Sequence, residues 1–201
     1  MSARNGWAPW IGGWIVVAVL VVVALAPRGP REPSGAASTF ERIVGPVASL
    51  AASVQWARVD YSLRRGENAR AYAEAETALR LDPLAPEGWI FFAHHLLYER
   101  ASLLREPDAR QRVLWIQAGL ETLARGERVS RDPAAILFER GVALAYLASL
   151  ADEDRAWPES SGEAWSLAAA AFDRAAALGR PGAAEAARLA RERARDRGPG
   201  R

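Results

Sequence analysis

The chain has 201 residues, half of them hydrophobic, with 26 basic against 24 acidic residues and a formal net charge of +2. So small a balance provides no basic field for nucleic acid. The absence of cysteine excludes disulfides, thiol catalysis and cysteine-based zinc or iron–sulfur sites, without fixing the compartment.

Residues 1–9 form a short N-terminal tail. Residues 10–26, WIGGWIVVAVLVVVALA, carry no charge. As a helix they span roughly 26 Å, and with Ala8, Pro9 and Pro27 they approach a ~30 Å hydrocarbon core. Trp7, Trp10 and Trp14 recur at three and four residues, which places them on one face as interfacial aromatics. The spacing predicts a transmembrane helix in the lipid bilayer. A cleaved signal peptide is the competing reading, since Ala24-Leu25-Ala26 has the small-x-small form. Against it stand Pro27 directly after the cut and an apolar run longer than a signal core. Arg4 on one side against Arg28, Arg31 and Arg42 on the other favours a cytoplasmic C-terminal domain; the opposite orientation stays open.

Residues 27–38, PRGPREPSGAAS, read as a linker. Ser38 stands three before Glu41, a capping-box spacing that starts a helix, and Pro46 is expected to kink or divide it. From Val47 to Arg64 the pattern is helical, with Leu50, Val54, Ala57 and Tyr61 on one apolar face. A second helix is expected near 68–81, after Gly66 and before Asp82-Pro83. Pro86 and Glu87-Gly88-Trp89 open a third.

Gly66, Ala71, Ala78 and Pro83, followed by Trp89, Phe92, Ala93 and Leu96, resemble the second helix of a tetratricopeptide repeat running into the first helix of the next. The resemblance covers about 47–181. It is weaker in the first helix, where Gln55 and Val59 hold the usual Trp and Gly positions. Pro83 to Pro133 is 50 residues, against a period of about 34. Beyond it a helix near 108–130 is expected. Leu137, Gly141 and Leu144 mark another, then come a loop at 151–162 and a helix carrying Phe172, Ala175 and Ala176. A polar final helix near 183–197 would cap the array, and 198–201 are a tail. The expected architecture is all-α: an N-terminal transmembrane helix, then a short α-solenoid of degenerate tetratricopeptide-like helix pairs over 39–197. The layout looks like that of bacterial single-pass proteins with such a domain.

The resemblance implies a scaffold that binds a protein partner on the concave surface lined by first helices. Carried onto this chain, the groove positions are Trp56, Asp60, Leu63 and Arg64, then Ile90, His94, Leu97 and Tyr98, with Phe138, Val142 and Tyr146 in a third repeat. The alternative is an accessory or assembly subunit of an integral-membrane complex, with Gly12-Gly13 allowing close helix approach.

Catalysis finds little support. His94-His95 is the only histidine pair, and adjacent helical residues point about 100° apart, whereas chelation needs i and i+4 on one face. No metal, cofactor or catalytic residue is assigned. Ser102 and Ser149 have no evident base and acid, Glu139 and the Asp152-Glu153-Asp154 run read as solvated or structural, and no phosphate-cradling glycine loop occurs. The C-terminal arginines, from Arg188 to Arg201, alternate with Glu185, Glu192 and Asp196, which reads as an internally paired helix face.

Overall fold

The computed structural model describes residues 39–150 and 160–197, with side chains from Val47 onward. The expected tail, the apolar run 10–26 with Trp7, Trp10 and Trp14, the linker and the 151–159 stretch lie outside the described residues. Most of those described are helical, and there is no strand among them. The elements are α1 (Thr39–Arg64), α2 (Asn68–Leu81), α3 (Pro86–His94) running directly into a π-helix (His95–Arg100), α4 (Ala109–Val129), α5 (Pro133–Leu150), α6 (Ser161–Ala177) and α7 (Ala183–Arg197). The chain divides into two compact units at Asp82 and Pro83.

In the first unit α1 packs on α2. Pro46 does not divide α1, which runs on as one helix. Gly66, at φ +74°, turns the chain between the two helices, a conformation that side-chain-bearing residues rarely adopt. Ala71, Ala75 and Ala78 are wholly buried on α2, so α1 approaches closely with its own small face of Ala52, Val59 and Ser62. The Ser62 hydroxyl donates to Glu74 at 2.8 Å and holds that carboxyl below its usual range. The apolar face Leu50, Val54, Ala57 and Tyr61 is not the one α2 covers: all four are exposed.

In the second unit each helix packs on the next, and α3 also meets α5. Pro86 occupies the first turn of α3, where its missing N–H costs nothing. The Trp89 indole donates to Pro83 O at 2.9 Å and ties that start down. The α4–α5 connection returns to the same place, with Arg131 N donating to Leu84 O at 3.0 Å. Three helix contacts depend on glycine. A Cβ on Gly119 would lie 2.5 Å from Leu97 Cγ, one on Gly126 2.6 Å from Trp89 Cγ, and one on Gly141 2.6 Å from the Phe172 ring. The α4 N-terminus is capped by Asp108, which accepts from Arg110 N at 2.8 Å. Arg112 is buried and staples the preceding turn, donating to Glu106 O and Pro107 O at 3.1 and 3.0 Å.

α5 is the central helix of this unit. Among the described residues it alone is long and apolar enough to cross a membrane by length and composition, at mean hydropathy 1.3, yet half of it is buried against its neighbours. α6 opens on a capping box in which Ser160 Oγ accepts from Glu163 N and Glu163 Oε2 accepts from Ser160 N at 3.0 Å. Leu144, Ala168, Phe172, Ala187 and Ala190 form a core shared by α5, α6 and α7. Gly179, at φ +82°, ends α6, and Arg180 N donates back to Ala175 O at 3.0 Å. On α7 Arg188 pairs within the helix with Glu185 and Glu192, as expected, whereas Arg191 reaches across to Asp173 on α6 at 2.5 Å.

Candidate functional site

The residues expected to line a groove divide between the two units. Trp56, Asp60, Leu63 and Arg64 belong to the α1–α2 unit. There Arg64 forms an ion pair with Asp60 at the surface, and Trp56 and Leu63 are half-buried. The others lie in the second unit, where part of the set comes together.

α3 and the π-helix carry Ile90, His94 and Tyr98 at successive four-residue steps, which keeps them near one face. Ile90, His94 and Tyr98 are half-buried. Leu97 departs from the expectation. It is buried at 3 % exposure and fills the space over Gly119 of α4, as Ala93 and Leu96 fill theirs, so it holds the helix down and offers no surface. The π-helix itself was not legible in the sequence. Ala101 N donates to Leu96 O, five residues back, at 3.0 Å, and such segments recur at functional sites.

α5 brings a second row. Glu139, Val142 and Tyr146 recur at three and four residues, hence on one face. His94 Nε2 and Glu139 Oε2 are 3.1 Å apart. The His94 and Tyr98 rings lie 5.1 Å apart and tilted, and Tyr98 meets Tyr146 edge-on at 5.0 Å. Both spacings are those of favourable aromatic pairs. Val142 and Tyr146 are exposed. Phe138 is set apart from this row: it packs on Phe172 at 5.3 Å with the Arg180 guanidinium 5.6 Å from its centroid.

Glu139, expected from the sequence to be solvated or structural, is the acidic member of this row. Its signal was present in the 139, 142, 146 spacing, but nothing in the sequence pointed that row at His94. Burial pushes the Tyr98 phenol up to about 12, with Glu139 and Tyr146 adding to the effect, so Tyr98 is a neutral hydroxyl at neutral pH. The face therefore offers tilted and edge-on rings, a carboxyl group and an imidazole whose tautomer follows its partner. These groups can hydrogen-bond and make aromatic contacts.

His95 points elsewhere. It is buried at 7 % exposure, with Nδ1 3.1 Å from Glu99 Oε2. Burial lowers its pKa, and Arg100 and Arg105 work in the same direction against Glu99. Ser102 and Ser149 donate to the backbone carbonyls of Glu99 and Tyr146, at 2.8 and 2.6 Å. Among the described residues no three His, Asp or Glu side chains are grouped so as to hold a metal ion.

Compared with protein-family models, with curated proteins and with solved structures, the chain matches none.

Proposed function

We propose that the chain is a membrane-anchored helical-repeat scaffold that holds another protein on the face formed by α3, the π-helix and α5. One observation carries this reading. His94 and Tyr98 on one side, and Glu139 and Tyr146 on the other, come from helices separated in sequence by α4, yet they stand side by side. Neighbour-on-neighbour packing with every second helix also adjacent is how helical repeats build a continuous binding face. The small-residue packing at Ala71, Ala75 and Ala78, the Gly66 turn and the Gly141–Phe172 contact are consistent with the tetratricopeptide resemblance. Tyrosine is also favoured at binding hot spots. The anchor rests on the uncharged run 10–26 and its tryptophans. Tethering raises effective concentration at the bilayer, so modest affinity suffices.

The test is co-purification of the full chain from membranes in mild detergent, followed by affinity measurement with whatever protein accompanies it. Tyr146→Ala, at an exposed position, should weaken binding by roughly 30-fold if Tyr146 is a hot spot, while Arg195→Ala on α7 should leave it unchanged. An unchanged Tyr146→Ala together with a weakened Arg195→Ala would move the site to α7. Association lost only on deletion of residues 1–27 would favour the accessory-subunit alternative.

A further inference from the structure

α1 carries two opposed faces. One, with Ala52, Val59 and Ser62, is buried. The other is an apolar stripe left in water: Val47, Leu50, Val54 and Tyr61 are 44, 66, 57 and 56 % exposed, and Ala57 between them is exposed too. Scattered exposed apolar residues need no explanation, but these are not scattered. They recur at three, four, three and four residues, and the sequence carries the same register back through Ile43 and Phe40. That is a heptad seam with Val47, Val54 and Tyr61 at a and Leu50 and Ala57 at d, whose spacing Phe40 and Ile43 continue in the sequence. The buried Ala52 and Val59 fall at f, the position opposite the seam.

We propose that this stripe seats α1 of a second copy of the chain, in a parallel, in-register, two-stranded coiled coil. Three features select that occupant. A seam of period 3.5 is complementary to another such seam, and a two-fold axis makes one stripe serve both sides. Valine at a (Val47, Val54) with leucine at d (Leu50) is the combination that, in a parallel coil, favours two strands. The flanking charges also agree. Asp60 at g stands five residues before Arg65, the first residue of the turn after α1, so a parallel partner brings Arg65 near Asp60 on both edges, while Ser53 faces Arg58 without repulsion. In the single chain those groups bond locally, Asp60 to Arg64 and Arg65 to Glu67 at 2.7 Å, and remain accessible at the surface. The proposal does not depend on residues 10–26 spanning a bilayer or on the partner-binding face.

The chain has no cysteine, so single substitutions act as clean reporters. Full-length Leu50→Cys and Val54→Cys, purified in detergent and mildly oxidised, should each form a disulfide-linked dimer, because each core residue of an in-register pair faces its own counterpart. Ala73→Cys, exposed on α2, should not. Light scattering with the detergent contribution removed should give twice 21.8 kDa for the unsubstituted chain. The Leu50→Asp, Val54→Asp double variant should self-associate roughly 100-fold or more weakly. Both replaced residues are exposed in the single chain, so its helix content by circular dichroism should hold. An unsubstituted chain that stays monomeric, or cross-linking at Ala73→Cys equal to that at the seam, would overturn the proposal. So would a monomer-sized disulfide between Leu50→Cys and Val17→Cys, which would put the chain's own apolar run on the stripe.

Discussion

His94 Nε2 on α3 lies 3.1 Å from Glu139 Oε2 on α5, joining two helices whose partners are 45 residues apart in the chain. Both side chains are partly exposed, so water screens the pair and limits its worth. A double-mutant cycle with His94→Ala and Glu139→Gln, read by urea unfolding, should give a coupling of about 0.5–1 kcal/mol. A coupling indistinguishable from zero would mean that this contact adds nothing measurable to the packing of α3 on α5.

Tyr98 should be visible in an alkaline titration. Its folded pKa of about 12 lies above the ordinary value near 10, so the neutral phenol favours the folded state. The stability it contributes is present below about pH 10 and is lost as pH rises through 12. Phenolate absorbance should show a late-titrating tyrosine that Tyr98→Phe removes. Glu139→Gln should bring that step to lower pH, since Glu139 is one of its causes.

His95 works with the opposite sign. Its folded pKa lies below the ordinary value near 6.5, mainly through burial. The unfolded chain therefore takes up a proton that the folded one resists. Its contribution is present above about pH 6.5 and is lost as pH falls through the lowered folded value. The melting temperature should fall over this acid range, and the slope should flatten in His95→Gln. An equal slope in the variant would assign the acid sensitivity to other groups.

Gly126 measures how closely α3 sits on α4. A Cβ there would lie 2.6 and 2.7 Å from Trp89 Cγ and Cβ and 2.9 Å from Ile136 Cδ1, none of which is a free side-chain end except the last. Gly126→Ala gains up to about 1 kcal/mol of helix propensity and loses about 1–3 kcal/mol to overpacking. The net effect on unfolding free energy should be destabilising. A stabilised variant would mean that Trp89 moves aside at little cost.

Ser160 tests the capping box. Ser160→Ala removes the acceptor for Glu163 N and should cost about 1 kcal/mol of unfolding free energy. It should also let the Glu163 carboxyl rise toward its ordinary range, since hydrogen bonds from the Ser160 backbone and side chain hold it down.

Local chemistry determined much of the helix plan. Gly66 and Asp82-Pro83 bracket α2 at Asn68–Leu81 as expected, and α7 runs over Ala183–Arg197, the range its polar sequence suggested, because helix starts and stops depend on residues within one turn. The small positions Ala71 and Ala78 came from the resemblance to the repeat, and both are buried where α1 approaches α2, since a close helix contact excludes bulk. Which face of α1 is covered was a different question. Periodicity made Leu50, Val54, Ala57 and Tyr61 a stripe, but α2 presents a row of alanines, and the small face at Ala52 and Ser62 fits that row while the bulky stripe does not. The meeting of His94 with Glu139, the inward turn of Leu97 and the π-helix likewise belong to tertiary structure. The inward turn of Leu97 follows from how closely α3 and the π-helix approach α4, because Gly119 and Gly126 leave the room that Leu97 and Trp89 fill, and those glycines carry no signal of their own until the two side chains are seen against them.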